Sequence, residues 1–269
     1  MKKWLLPLAI GLALSGTASA QAAPDAAHAA HAAHAAHAAT APAKLPAAIA
    51  AAVADPARAE DAKIDERRHG GEIVAFAGVK PGDKVLELIP GGGYFTRILS
   101  KTVGPDGKVY AEMPTEIKNV DRFKAITDAY SNVALLRDPA AAPVTPESVD
   151  VAFTSQNYHD YPTPYLGNTD VAEVDRHIFS ALKPGGIYIV IDHVAEAGSG
   201  TRDADTLHRI DPAFVRKQVE AAGFEFVEES DVLRNPADDH KLKVFDPAIR
   251  GHTDQFVYKF RKPGTPSAR

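Results

Sequence analysis

Three histidines beside predicted strand ends are the side chains best suited to acid–base chemistry. His159 follows one predicted strand and His193 ends the next, while His208 precedes a predicted helix. Histidine exchanges a proton near neutral pH, so each can remove a proton from a bound substrate. A hydrogen-bonded structural role is the open alternative for each. Two histidines at adjacent strand ends favour catalysis more than either alone, and we predict catalytic roles for all three.

Polar residues near these histidines are candidate substrate contacts. Tyr158 and Asp160 lie in the loop after a predicted strand. Arg209 either clamps an acidic substrate group through two parallel hydrogen bonds or forms a surface ion pair. Asp211 precedes a proline, which is typical of a helix N-cap. No pair of these histidines has a metal-ligand spacing such as HxxxH, so we expect no metal among them.

A proline and three glycines form a sharp junction after the strand predicted over 85–89. Glycine permits a tight turn and a close approach of the backbone to a ligand. The helix predicted over 92–103 would present unpaired N–H groups and the positive end of its dipole. A nucleotide-like cofactor with a carboxylate or phosphate suits such a junction. The candidate contacts are Pro90, Gly91, Gly92, Gly93 and Tyr94.

Two other nucleotide-binding loops do not match this junction. The dinucleotide motif GxGxxG requires a third glycine, and Thr96 stands at that position. The phosphate-binding motif GxxxxGK[ST] does not occur in the sequence. A dinucleotide or a nucleoside triphosphate is therefore disfavoured.

Strands and helices alternate along most of the chain and position these residues. The pattern predicts strands over 85–89, 108–113, 133–137, 149–154, 187–193, 224–229 and 255–261. It predicts helices over 55–70, 71–77, 92–103, 116–130, 169–182 and 212–222. Such alternation requires a parallel sheet with right-handed crossovers, and ligands of such sheets bind at the carboxyl ends of the strands.

The last two predicted strands have no helix between them, so they form an antiparallel edge hairpin. The long connection over 230–254 is functional or mobile. We predict an α/β fold: a Rossmann-like, doubly wound, seven-stranded sheet that is mostly parallel, with an antiparallel C-terminal edge hairpin and N-terminal helices before it.

The combination of motifs resembles a known enzyme family. The stretch Glu87–Gly93, the turn Leu182–Gly186 and the terminal hairpin are similar to class I S-adenosylmethionine-dependent methyltransferases. The resemblance covers about residues 60–262. More narrowly, four motifs look like those of a group of exported bacterial proteins predicted to be methyltransferases: Pro90-Gly91-Gly92-Gly93-Tyr94, Tyr158-His159-Asp160, Asp192-His193 and His208-Arg209-Ile210-Asp211.

The resemblance implies S-adenosylmethionine as the cofactor and suggests which acids bind it. It implies that Glu87 lies near the methionine end, with loop bracing as the alternative. Glu112, roughly 20 residues beyond the glycines, is placed to accept the ribose hydroxyls, and a shift of one residue would put Met113 there instead. Asp138 either accepts the adenine amino group or holds a turn with Pro139.

One position departs from the family pattern. The usual loop is acidic-x-Gly-x-Gly-x-Gly, and Ile89 stands where the first glycine is expected. A branched side chain there narrows the approach to the amino-acid end of the cofactor, unless a shifted turn fixed by Pro90 accommodates it.

These observations predict an exported S-adenosylmethionine-dependent methyltransferase acting on an unidentified small molecule or envelope component. Methyl transfer from a sulfonium is an in-line displacement, so the protein mainly supplies orientation and a dry pocket. Two alternatives remain open: a non-catalytic periplasmic protein that binds a small ligand on the same scaffold, and a metal-binding protein that uses a histidine-rich tail.

Composition restricts the class of partner. The chain has 269 residues, of which 45% are hydrophobic, and a formal charge of −5. The length allows one substantial core, and the acidic balance gives no reason to expect nucleic acid. We therefore expect a small-molecule substrate, and nothing in the sequence predicts an oligomeric state. The chain contains no cysteine, which excludes disulfides and a lipid-modified cysteine.

The N-terminal segment resembles an export signal. Met1–Lys3 is basic, 4–14 is an apolar run too short to span a bilayer comfortably, and Ala18–Ala20 is a small-residue cleavage site. We therefore predict a signal peptide over 1–20 and a periplasmic protein without a stable membrane anchor after cleavage. An uncleaved anchor is the alternative.

A histidine-bearing tail over 21–44 follows this leader. It is rich in alanine, and its histidines recur at every third position: His28, His31, His34 and His37. They are weak candidates for a metal site because a period of three drifts around a helix. We prefer the interpretation that the tail is a linker expanded by repeat slippage over the interpretation that it binds a metal. We expect a methyltransferase-like α/β domain over 45–263 and a flexible C-terminus over 264–269.

Overall fold

The computed structural model describes Met1 and residues 44–264. The leader predicted over 1–20 and the histidine tail therefore lie outside the described residues, apart from Met1 and Lys44. Residues 265–269 of the predicted flexible C-terminus also lie outside them.

Helices precede the sheet, as the sequence predicts. They are α1 (Ala47–Val53), a 3-10 turn (Pro56–Arg58), α2 (Ala59–Arg68) and α3 (Gly70–Ala77). The Asp55 carboxylate accepts the amide hydrogen of Ala57, which caps the 3-10 turn that leads into α2. His69 separates α2 from α3 in a left-handed conformation with φ of 47°.

The sheet contains seven strands. These are β1 (Lys84–Leu88), β2 (Lys108–Glu112), β3 (Val133–Leu136), β4 (Val149–Ser155), β5 (Leu182–His193), β6 (Glu225–Glu229) and β7 (Gln255–Arg261). The remaining helices are α4 (Tyr94–Val103), α5 (Asp121–Ala129), α6 (Val171–Ala181), α7 (Ala204–Leu207) and α8 (Pro212–Ala221). Short 3-10 turns occur at Tyr158–Asp160 and Pro164–Leu166.

The strand order is β3-β2-β1-β4-β5-β7-β6. The first five strands pair in parallel, and β7 pairs antiparallel with both β5 and β6. The chain reverses its direction of travel across the sheet between β1 and β4, which is where α/β sheets bind their ligands. The predicted Rossmann-like sheet with its antiparallel edge is confirmed.

Two hydrophobic layers cover the sheet. In β1, Leu86 and Leu88 pack into one layer with residues of α6 and α8, whereas Val85 packs into the other layer with residues of α1, α3, α4 and α5. This alternation follows from the two-residue period of a strand. None of the helices within the described ranges is long and apolar enough to cross a membrane.

Some element bounds differ from the sequence prediction. β5 begins at Leu182 rather than at 187, because its first residues already pair with β4 at Val149 across an irregular register. α5 begins at Asp121 rather than at 116, where the Asn119 side chain accepts the Asp121 amide hydrogen. The single-turn helix α7 was not predicted, since four residues carry too little periodicity to detect.

Candidate active site

The glycine junction joins β1 to α4 through several left-handed residues. Ile89, Gly91 and Gly93 have φ values of 48°, 57° and 79°. A Cβ added to Gly91 would meet no atom within 4 Å, so the glycine leaves open space beside the backbone. The Asn157 side-chain amide donates to the Ile89 carbonyl at 3.0 Å and ties the junction to the end of β4.

Ile89 takes the left-handed conformation that a glycine normally supplies in this loop. That conformation costs an L-residue roughly 1–2 kcal/mol, and a branched side chain is a rare occupant. The Ile89 side chain is only 7% exposed and packs in the hydrophobic layer that contains Leu86. Burial of the side chain therefore offsets the strain, and the turn is preserved without glycine.

A cleft of about 180 Å³ opens beside the junction at the carboxyl ends of β1 and β4. The predicted cofactor residues on its wall are Glu87, Pro90, Gly91, Gly92 and Tyr94. We call this the glycine cleft. Gly93 is not on its wall and instead serves as the N-cap residue of α4.

Glu87 both faces the glycine cleft and braces α4. Its carboxylate accepts the Thr96 hydroxyl hydrogen at 2.6 Å. Burial raises the pKa of Glu87 to about 7, against the lowering effects of Thr96 and the Arg68 cation. The structure thus shows a bracing role for Glu87, and its place on the cleft wall keeps the cofactor role as a prediction.

Glu112 ends β2 with a buried carboxyl group that is not on the wall of the glycine cleft. The residue is 1% exposed, and neither carboxylate oxygen has a hydrogen-bond partner of normal geometry within the described residues. Burial and the Asp138 carboxylate raise the pKa of Glu112 to about 8, opposed by the nearby Asp138 amide. A buried acceptor without a donor is costly unless a ligand supplies one. Met113, the alternative, lies in the hydrophobic core.

Asp138 and Tyr94 have structural partners of their own. The Asp138 carboxylate accepts the Val144 amide hydrogen at 3.3 Å, which supports the turn role. Its carboxylate also contributes to the raised pKa of Glu112. Adenine recognition by Asp138 stays a prediction. The Tyr94 hydroxyl donates to Asp65 at 2.7 Å.

Arg68 is a functional candidate that sequence reasoning missed. Its guanidinium lies 4.6 Å from the centre of the Tyr94 ring and donates to Ser155 Oγ at 3.2 Å. No carboxylate forms an ion pair with it among residues 44–264, and burial lowers the pKa of Arg68. A cation in the last turn of a helix is already accounted for by the helix dipole, so its sequence position carries no further signal.

The three predicted catalytic histidines come together at the ends of β4 and β5. His159 is 3% exposed, and its Nδ1 hydrogen-bonds with Asp192 Oδ1 at 2.8 Å. On the other side of the ring, Nε2 lies 3.3 Å from both His208 Nδ1 and Asp160 Oδ1. Burial acts to lower the pKa of His159, but the Asp192 carboxylate outweighs it and raises the pKa above the ordinary value. Burial raises the pKa of Asp160 to about 6.

His193 differs from the other two histidines because it is held neutral. Its Nδ1 hydrogen-bonds with Thr253 Oγ1 at 2.7 Å. Burial lowers the pKa of His193 to about 3, and the Asp192 carboxylate only partly opposes this. His193 is therefore suited to hydrogen bonding as a neutral group rather than to acting as a strong base.

The predicted substrate role of Tyr158 is wrong. The residue is fully buried, and its hydroxyl donates to Asp175 at 2.7 Å. Burial raises the pKa of Asp175 to about 7. The 3-10 turn that follows β4 places His159 at the sheet edge and the neighbouring tyrosine in the core, so the Tyr158 side chain is not on a cleft wall.

The predicted substrate role of Arg209 is also wrong. The side chain is fully buried, and its guanidinium pairs with Asp238 at 2.9 Å. It also donates to the carbonyls of Val194 and Leu242. Arg209 therefore anchors the connection between β6 and β7 to the end of β5, and its donors are already used.

A second cleft, of about 190 Å³, adjoins the glycine cleft and shares Arg68 and Gln156 with it. We call it the arginine cleft. Its wall also contains Arg67, Arg250 and His193, together with apolar residues such as Phe245. It combines positive charge, one neutral imidazole and an apolar surface.

Comparison with known proteins identifies the family. The model of the ubiE/COQ5 methyltransferase family matches residues 66–204, which is more than half of the chain. The chain belongs to the ubiE/COQ5 methyltransferase family. It is 30% identical over 124 residues to the ubiquinone/menaquinone biosynthesis C-methyltransferase UbiE of Pseudomonas paraeruginosa, which covers 44% of this chain and 45% of that protein. The chain thus spans about half the length of the relatives it matches at that identity.

More distant similarities extend further along the chain. The UbiE protein of Burkholderia mallei is 24% identical over 190 residues, covering 69% of this chain and 68% of that protein. A solved SAM-dependent methyltransferase from Aquifex aeolicus has the same fold, with a TM-score of 0.55 and 19% identity over 77% of this chain and 94% of its own. The [4+2]-cyclase SpnF also has this fold, with a TM-score of 0.56 and 17% identity over 74% of this chain and 81% of its own. Fold alone therefore does not decide the reaction.

The family and the fold imply S-adenosylmethionine as the cofactor, and the residues of this chain fit it. Glu112 offers two free carboxylate oxygens to the ribose hydroxyls. Gly91 leaves open space where a side chain would obstruct a ligand. Arg68 supplies a half-buried positive charge on the wall of the glycine cleft, which suits the carboxylate of such a cofactor.

Proposed function

We propose that this protein is an exported S-adenosylmethionine-dependent methyltransferase whose acceptor is a small molecule with an anionic group. The free, buried carboxylate of Glu112 beside the glycine junction is the observation that carries the methyltransferase assignment. A protein without a ligand at that position would gain stability by losing this carboxylate. Its retention is explained by hydroxyl groups that donate to it when the cofactor binds.

In this proposal the residues of the chain bind and orient the reactants. Glu112 accepts hydrogen bonds from the ribose, while Glu87 and the glycine junction surround the amino-acid end of the cofactor. When bound, the cofactor supplies an electrophilic methyl group on a sulfonium. The hydrophobic layers behind both clefts exclude water and fix the positions of the side chains around the reacting groups.

The arginine cleft is the proposed acceptor site because it adjoins the glycine cleft. Arg67, Arg68 and Arg250 suit a carboxylate or phosphate on the acceptor. Phe245 provides an apolar contact, and His193 accepts or donates one neutral hydrogen bond. The cleft thereby favours an acceptor with an anionic end and an apolar body over a fully apolar one.

Export is the part of the proposal that rests on sequence. Met1–Lys3, the apolar run over 4–14 and the small residues Ala18–Ala20 support it, and they lie outside residues 44–264. Mass spectrometry of the secreted protein should find a mature N-terminus near Gln21. An intact Met1 on protein recovered from the cytoplasm would contradict export.

The cofactor assignment is tested by calorimetric titration with S-adenosylhomocysteine. We expect binding by the natural chain and at least a tenfold loss in Glu112→Gln, since an amide replaces one acceptor oxygen with a donor. Glu225→Gln is the matched control because that carboxylate is half-exposed at the far edge of the sheet and pairs with Arg261. Absence of binding by the natural chain would overturn the proposal.

Transfer itself is tested with S-adenosylmethionine carrying an isotopically labelled methyl group and a small-molecule extract of the periplasm. The expected result is label in an acidic metabolite, with reduced transfer by Arg250→Gln. Cofactor binding without any transfer would favour the alternative of a non-catalytic ligand-binding protein.

A further inference from the structure

We propose that His159, Asp160 and His208 form a binding site for one divalent transition-metal ion of the zinc type. His159 Nε2 lies 3.3 Å from His208 Nδ1 and 3.3 Å from Asp160 Oδ1. His208 Nδ1 and Asp160 Oδ1 are 3.9 Å apart. Two imidazole nitrogens and a carboxylate oxygen thus converge on one point. This site goes beyond the proposed methyl transfer and does not depend on it.

Two of the three distances match those that a tetrahedral ion imposes. Ligand atoms about 2.0–2.2 Å from zinc lie about 3.3–3.6 Å from one another. Two of the observed separations fall in this range, and the third closes with a small movement of His208, whose side chain is 27% exposed. A proton on His159 Nε2 can be donated to His208 Nδ1 or to Asp160 Oδ1, and the atom that does not receive it gains no hydrogen bond from His159. One cation satisfies all three atoms together.

A buried carboxylate orients the principal ligand. Asp192 is fully buried and accepts from His159 Nδ1 at 2.8 Å. It also accepts the backbone amide hydrogens of His159 and His193, so its position is fixed. With Nδ1 donating to Asp192, the lone pair of His159 Nε2 points towards Asp160 and His208. Histidine ligands of metals are commonly held by a carboxylate in this way.

The chain positions the site next to the arginine cleft. The His208 ring lies 4.9 Å from the ring of Phe245, which lines that cleft. His193 is not one of the ligands, because the atoms that lie within 4.8 Å of one another belong to His159, Asp160 and His208, and its Nδ1 is bound to Thr253. Three protein ligands leave a fourth coordination position for water or an acceptor oxygen, as in catalytic zinc sites.

The test uses Co²⁺ alone, added to the chelator-treated full chain. Because the tail histidines could bind metal themselves, every variant also carries the substitutions His28→Ala, His31→Ala, His34→Ala and His37→Ala. We expect one equivalent of Co²⁺ to produce the intense visible absorption of a tetrahedral site, and excess Zn²⁺ to abolish it.

Single substitutions locate the ion. His208→Ala should weaken Co²⁺ binding at least tenfold, and Asp192→Asn should weaken it about 10–100-fold as an orienting residue. His177→Ala is the matched control, since that histidine is exposed on α6. Far-ultraviolet circular dichroism must show that each variant is folded.

Two outcomes would overturn the site. One is the absence of stoichiometric Co²⁺ or Zn²⁺ binding by the tail-substituted protein. The other is unchanged affinity in His208→Ala. Binding of S-adenosylhomocysteine is measured separately on the same samples, so a failed metal site and a failed cofactor site give different results.

Discussion

The carboxyl edge of the sheet has two halves that are constructed differently. The cofactor half consists of the ends of β1 and β2 with the glycine junction, and it is formed by backbone shape within a short stretch of sequence. The histidine half consists of the ends of β4 and β5 with His159, Asp192, His193 and His208. It is formed by side chains that are brought together from distant positions and held by one buried carboxylate.

The two buried acids at the centres of these halves show the contrast. Glu112 has no normal hydrogen-bond partner within the described chain, and burial raises its pKa. Burial also acts to raise the pKa of Asp192, but its contacts with His159 outweigh this and lower it. Glu112, at the centre of the cofactor half, therefore has no internal donor of normal geometry, whereas Asp192, at the centre of the histidine half, is held by hydrogen bonds within the chain.

The largest effect is expected from Asp192→Ala. The substitution leaves His159 Nδ1 and two buried amides without an acceptor, so we expect the free energy of unfolding to fall by about 3–5 kcal/mol. Urea denaturation followed by circular dichroism measures this loss. Asp239→Ala, which removes an exposed carboxylate, serves as the control and should change stability little. If Asp192→Ala lowers the free energy of unfolding by less than Asp239→Ala does, the histidine half is not held by this carboxylate.

Glu112→Gln should behave in the opposite way. The natural carboxylate is buried without a donor, so its replacement by a neutral amide should leave the free energy of unfolding unchanged or raise it by about 1 kcal/mol. The same variant is expected to lose cofactor binding. Urea denaturation in the absence of any ligand gives the stability. A loss of more than about 2 kcal/mol would mean that Glu112 is a structural residue after all.

The same contrast explains what sequence could predict. The alternation of strands and helices predicts the mostly parallel sheet and its antiparallel edge, and the spacing from the glycines to Glu112 follows from one βαβ unit. His159 and His208 are 49 residues apart, and the single turn of α7 that brings them together has no detectable sequence pattern. Buried Tyr158 and Arg209 have the same local pattern as exposed loop residues. Their burial depends on packing that only the folded chain defines.

The free energy of unfolding should depend on pH through Glu112, the buried acid of the cofactor half. Burial raises the pKa of Glu112 from 4.5 to about 8, so between these values the folded chain retains a proton that the unfolded chain releases. Stability contributed by this group is present at low pH and is lost as the pH rises from about 5 to 8. We expect the natural chain to lose more stability over this interval than Glu112→Gln, by about 1 kcal/mol or more. Parallel stability curves for the two proteins would contradict the raised pKa.

The last comparison concerns Ile89, where strain and burial oppose each other. Ile89→Gly removes a buried side chain, which costs about 2–4 kcal/mol, but it relieves a left-handed conformation that costs roughly 1–2 kcal/mol. Ile191→Gly removes a similarly buried side chain from a strand with no such strain to relieve. We therefore expect Ile89→Gly to destabilise the chain by about 1–2 kcal/mol less than Ile191→Gly, measured by urea denaturation. Equal losses would mean that the junction stores no strain, and that its shape is set by Gly91, Gly93 and the Asn157 hydrogen bond alone.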